Sequence, residues 1–140
     1  MDKRVLPNDI LLGEVTALLR EGRDAVIIPK GSSMLPTIRG DRDRVTLRRQ
    51  EEVRDGDIVL VHTGGRYILH RVIAVDGDAL TLMGDGNLQG TEHCTTQDVC
   101  GTVIEIQRPG GRARKPGPGR FWRALKPLRR YILGIYRRLI

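Results

Sequence analysis

The chain has 140 residues, 39% of them hydrophobic, two cysteines and a formal net charge of +7. That suffices for one domain with its own core and excludes disordered and collagen-like classes. No apolar run reads as a transmembrane helix, the first residues lack the apolar stretch of a secretory signal, and two cysteines make no disulfide framework. The expectation is a cytoplasmic or peripheral membrane protein.

The charge is unevenly spread. Residues 108–140 hold eleven of the 24 basic residues and no acid, so the rest of the chain carries 13 bases against all 17 acids. Phe121, Trp122, Tyr131 and Tyr136, four of the five aromatics, fall in the same tail. The pattern is a mildly acidic body with a basic, aromatic appendage.

In chain order, residues 1–24 form the first unit, an amphipathic helix. Ile10, Leu11, Leu12, Val15, Leu18 and Leu19 make one stripe, with Asn8 or Asp9 as cap and Gly22 as stop. Residues 25–107 read as a β-rich domain. Strands are expected at 25–28, 44–47, 58–61, 67–75, 79–83 and 99–106, separated by glycine- and aspartate-rich turns, the one at 76–78 closing a hairpin. Short strands at close spacing predict a mainly β fold, an antiparallel barrel or sandwich, flanked by the N-terminal helix and a basic C-terminal one. Residues 108–120 are rich in Gly and Pro and read as a mobile linker. Beyond it, Phe121, Leu125, Leu128, Ile132, Ile135 and Leu139 keep a helical period, and Pro127 opens its second piece.

The chemistry lies in Pro29-Lys30-Gly31-Ser32-Ser33-Met34-Leu35-Pro36-Thr37-Ile38, a turn that presents a hydroxyl. It is followed in order by Gly40-Asp41, Gly56-Asp57-Ile58-Val59, Leu69-His70-Arg71-Val72-Ile73, Gly84-Asp85-Gly86-Asn87 and Gly101-Thr102-Val103. This succession, over residues 26–104, resembles the type I signal peptidases and, more broadly, the serine peptidases that share their β-rich fold with self-cleaving SOS repressors. The resemblance implies a serine endopeptidase that cuts an extended peptide or preprotein, removing a leader or signal segment, with no cofactor. A serine hydroxyl needs a base within hydrogen-bond reach. Where the bacterial branch has lysine, this sequence has His70, which resembles the endoplasmic-reticulum and archaeal branch. Imidazole serves as a base near neutral pH with little tuning.

The resemblance thus implies Ser33 as nucleophile and His70 as base. Two carboxylates are open as the group that orients the ring: Asp85 in the Gly-Asp box, and Glu92, one residue out of register with the second acid of the Ser–His branch. Asp98 trails, and Asp41 and Asp57 read as structural. For the oxyanion, the Ser33 N–H is the expected donor and Ser32 an adjacent candidate, since Gly31 stands where some members have a serine. His93, Cys94 and Cys100 lack the spacing of a zinc site, so no metal is expected. No transmembrane helix precedes the serine box, unlike most signal peptidases. Attachment is instead expected through the tail, with Arg123, Arg129, Arg130, Arg137 and Arg138 against anionic lipid, a partner preferred over nucleic acid. The competing readings are a degenerate peptidase fold that binds lipid or nucleic acid, and a self-cleaving regulator. The latter would need its own scissile site, and the only family-type dipeptide is Cys100-Gly101.

Overall fold

The computed structural model describes residues 8–140, with side chains from Leu11 onward apart from Phe121. The cap expected at Asn8 or Asp9, and the Ile10 and Phe121 positions of the two apolar stripes, lie outside the described side chains. Helix α1 (Asn8–Arg20) buries Val15 and Leu19, with Leu12 and Leu18 packed alongside. It stops where expected. Gly22 takes a positive φ of 79°, and Gly22 and Arg23 return their N–H groups to the Leu19 and Leu18 carbonyls, a glycine cap closing the last turn.

Seven strands follow: β1 (Ala25–Ile27), β2 (Arg44–Arg48), β3 (Ile58–Thr63), β4 (Arg66–Asp76), β5 (Ala79–Met83), β6 (Glu92–Thr95) and β7 (Val99–Gln107). They form one antiparallel sheet in the order β1-β2-β7-β3-β4-β5-β6. The mainly β, antiparallel expectation holds, as does the hairpin that pairs Asp76 with Ala79. Strand β6 was not expected. Its sequence, Glu-His-Cys-Thr, has a single apolar residue, yet it pairs along β5 with Cys94 opposite Leu80 and Glu92 opposite Leu82.

Central strand β3 explains how one sheet carries two cores. Ile58 and Leu60 point into a layer built from Val15, Leu19, Ile27, Met34, Ile38, Val45, Leu47 and Ile106. Val59 and Val61 point the opposite way, onto Val72, Leu80, Leu82 and Cys94. A run of four buried residues is what burial on both faces requires. Three register shifts bend the sheet, at Thr46/Leu47, Leu60/Val61 and Val72/Ala74. In the last, Ile73 is the extra residue.

The C-terminal segment differs from the mobile linker expected. Arg114 pairs with Ile106 through two backbone hydrogen bonds of 2.8 and 2.9 Å. Arg114 also donates to the Thr37 carbonyl, and Arg71 donates to the Gly117 carbonyl at 2.8 Å. The segment is a strap pinned by arginine donors, which supply the partners its Gly/Pro backbone cannot find in a helix or sheet. It leads into α2 (Arg120–Ala124), a 3-10 turn at Lys126–Leu128 with Pro127 in its first turn, and α3 (Arg129–Leu139), whose Leu133 is fully buried.

Candidate active site

Ser33 sits just beyond β1, in a helical turn whose backbone bonds run Leu35 N–H to Ser32 carbonyl and Ile38 N–H to Met34 carbonyl. Met34, Leu35 and Ile38 are buried beneath it and fix the turn to the core, leaving Ser33 half-buried and Ser32 exposed. Met34 is therefore a packing residue, and its sulfur also accepts the Asp85 N–H at 3.4 Å. Facing it across a cleft of about 490 Å³ are β4, with Tyr67, Ile68, Leu69 and His70, and the start of β6, with Thr91 and Glu92. Ile28, Lys30 and Gly31 line the Ser33 side.

Two neighbours on β4 go to opposite faces, as strand alternation demands. His70 turns to the cleft and Arg71 into the interior. The Glu92 carboxylate abuts His70 Nδ1. A carboxylate at that nitrogen would suit the tautomer that carries its proton on Nδ1 and leaves the Nε2 lone pair free. Nε2 lies on the side of Gly84, where a methyl group would come within 3.0 Å of it and within 2.4 Å of the Ser33 carbonyl. The Ser33 backbone and the Nε2 edge of the ring thus converge on one glycine, and only a residue without Cβ fits between them. The turn at 84–87 is tied down further by a 2.7 Å bond from Gly86 N–H to the Ser33 carbonyl. Among the described residues no side chain, His70 included, hydrogen-bonds the Ser33 hydroxyl.

Asp85 is committed elsewhere. Both its oxygens are taken by the Arg71 guanidinium, Nε to Oδ1 at 2.9 Å and Nη2 to Oδ2 at 2.8 Å, and the Thr37 hydroxyl donates to Oδ2. Arg71 spends its remaining nitrogen on the Gly56 and Gly117 carbonyls. The pair is 1% and 2% exposed, and it faces away from the ring. Of the two carboxylates considered, Glu92 touches His70 and Asp85 does not. Asp98 caps the turn before β7 by accepting the Thr95 N–H, Asp57 accepts the Arg54 N–H, and exposed Asp41 accepts weakly from Gly31.

Sequence reasoning singled out the Arg71 box without giving Arg71 a partner, and it missed two further residues. Trp122 donates its indole N–H to the Asp85 carbonyl at 2.8 Å. Arg129, 3% exposed, donates to the Asn87 carbonyl at 3.2 Å and lies 5.4 Å over the Trp122 ring. Burial pushes Arg129 below the ordinary arginine value, opposed by the Asp85 charge and helped by Arg71 and Arg123. The chain's one tryptophan, set in the tail, was the available signal. Arg123 is also used internally, on Asp55 and on the Ile73 carbonyl freed at the β4 bulge. Two of the five arginines expected at a lipid surface thus engage protein groups, Arg129 buried and Arg123 half-buried.

His93 is exposed, Cys94 buried and Cys100 half-buried, and among the described residues no group of three His, Cys, Asp or Glu side chains could hold a metal. Burial pushes both thiols above the ordinary cysteine value, so neither is an activated nucleophile.

The family model described as Peptidase S24-like matches residues 6–104, and the chain belongs to that family. The mainly β fold and the family match together give a serine-peptidase-like or self-cleaving-regulator fold. No curated protein matches it. Its C-terminal strap and helices lie beyond the matched region.

Proposed function

We propose that this chain is a serine endopeptidase acting on an extended leader or signal segment of a peptide or preprotein. The observation that carries the reading is the convergence of the Ser33 backbone and His70 Nε2 on Gly84, with Glu92 on Nδ1 of the same ring. In the reaction, Ser33 Oγ attacks the scissile carbonyl carbon while its proton passes to His70 Nε2. The tetrahedral oxyanion is held by the Ser33 N–H, with Ser32 beside it, and Glu92 stabilises the imidazolium. The C–N bond then breaks as Nε2 returns the proton to the leaving amine. Water, deprotonated by the same nitrogen, hydrolyses the acyl ester.

Among the described residues strand β1 pairs only with β2, leaving its other edge open, and its continuation, Ile28, lines the cleft and is 53% exposed. A substrate strand laid on that edge would reach Ser33 without a change of direction. Small residues beside the cut are the preference that the signal-peptidase resemblance implies. Self-cleavage is less well supported: Cys100 and Gly101 lie inside β7, where Gly101 is buried and paired with Leu60.

No helix of the described residues is long and apolar enough to cross a membrane. The outer face of α3 does support a lipid contact. Tyr131, Ile135 and Leu139 are 62–79% exposed in one stripe continued by Leu128, with Arg130, Arg137 and Arg138 exposed beside it and no acid in the segment. At about 1.5 Å per residue the helix suits lying in the interface. The full chain should sediment with anionic vesicles and not with neutral ones, and Ile135→Asp with Leu139→Asp should release it; tight binding to duplex DNA with none to vesicles would refute the lipid contact.

The peptidase reading is tested with an extended peptide bearing small residues at its centre. Cleavage should be abolished by Ser33→Ala and by His70→Ala, and the double variant should be no worse than either, since the two act as one unit. Substantial turnover by Ser33→Ala would refute it.

A further inference from the structure

We propose that the C-terminal segment is part of the catalytic apparatus: Trp122 and Arg129 are positioning residues that hold the turn at 84–87 from outside, and that turn holds Ser33 and His70. This rests on the peptidase reading of the cleft. The inward contacts of the turn are the Gly86 N–H on the Ser33 carbonyl and the Asp85 N–H on the Met34 sulfur, with Gly84 wedged between the Ser33 backbone and the His70 ring. Its outward contacts come from the appendage. The Trp122 indole N–H takes the Asp85 carbonyl, and the Arg129 guanidinium takes the Asn87 carbonyl and approaches the Met83 sulfur at 3.9 Å. The two holders brace each other, since Arg129 lies over the Trp122 ring, and Leu133, 1% exposed, seats the helix behind them.

Both holders lie outside the region that matches the family, so the matched core does not supply these contacts. They are specific in direction. Tryptophan has one donor, fixed in the ring plane, and a buried guanidinium is a rigid fork. Neither residue lines the cleft. Their loss should therefore leave substrate binding alone and degrade the alignment of nucleophile and base, where a displacement of about 1 Å costs on the order of 100-fold in rate.

The test uses full-length Trp122→Phe, which keeps a smaller aromatic ring and removes the donor, with Arg129→Met and the conservative Arg129→Lys. The expected result is a kcat lowered about tenfold or more in Trp122→Phe and Arg129→Met, KM within about twofold of wild type, and Arg129→Lys between wild type and Arg129→Met. Hydrogen exchange at the Gly86 amide, which needs no turnover, should quicken in Trp122→Phe and Arg129→Met. If Arg129→Met does not fold, Trp122→Phe decides alone. Unchanged kcat in folded variants overturns the proposal, as does unchanged Gly86 exchange, and a raised KM with normal kcat would make the segment a substrate-binding element instead. Should the wild type neither cleave nor acylate, the peptidase reading fails, and Gly86 exchange still decides whether the segment holds the turn.

Discussion

Replacing Asp85 with alanine isolates the buried pair behind the cleft. Arg71 makes four hydrogen bonds, two to Asp85 and one each to the Gly56 and Gly117 carbonyls, and is 1% exposed. Without Asp85 the guanidinium keeps its charge, loses both charge-assisted bonds and has no route to water; the Thr37 hydroxyl loses its acceptor as well. Removing one partner of such a pair costs about 3–5 kcal/mol. At roughly 3 °C per kcal/mol for a chain of this size, Tm should fall by about 9–15 °C. Thermal and urea melts followed by circular dichroism would measure it. Joining Asp85→Leu to Arg71→Met removes both charges and should recover much of the loss, because the cost lies in the unpaired charge. A Tm for Asp85→Ala within about 2 °C of wild type, or a double variant no better than the single, would refute the reasoning.

Glu92→Gln keeps an acceptor near Nδ1 but removes the charge that stabilises the imidazolium; kcat should fall by about 100-fold or more with KM little changed, whereas Asp98→Asn should leave kcat alone. Protonated imidazole cannot accept the Ser33 proton, so kcat/KM should decline toward acid. Retained activity in His70→Ala would assign the base to another group, and Lys30 lines the same cleft. Burial raises both cysteine thiols, so less thiolate is present at neutral pH, and a disulfide reagent should label the folded chain more slowly than the urea-unfolded one, with the gap narrowing as pH rises. Equal rates would contradict that burial.

The strands that could be read from sequence, short β1 among them, are those built from β-branched and aliphatic residues. Strands β2, β3, β4, β5 and β7 are rich in β-branched and aliphatic residues, and their turns carry the glycines and aspartates that end them. Strand β6 has no such pattern, because it exists through the open edge of β5 and through Cys94 filling the layer opposite Leu80. That omission left the choice of carboxylate open, since Glu92 sits on the missing strand. Alternation along β4 held part of the answer: adjacent residues face opposite ways, so the acid paired with Arg71 could not also serve His70. The tail was misread for a different reason. Composition counts charges but not partners, and Arg71, Arg114, Arg123 and Arg129 satisfy carbonyls of the strap, the 84–87 turn and the body, making a docked segment of a stretch whose glycines and prolines suggested mobility.

The central claim is that His70 and Glu92 make Ser33 nucleophilic, and the most direct measurement of it is covalent. A fluorophosphonate probe should phosphonylate one residue of the native chain, with loss of fluoride, found by mass spectrometry at Ser33, and the adduct should disappear in His70→Ala and form slowly in Glu92→Gln. An adduct that forms equally well without His70, or no adduct at Ser33 in the folded wild type, would contradict the account.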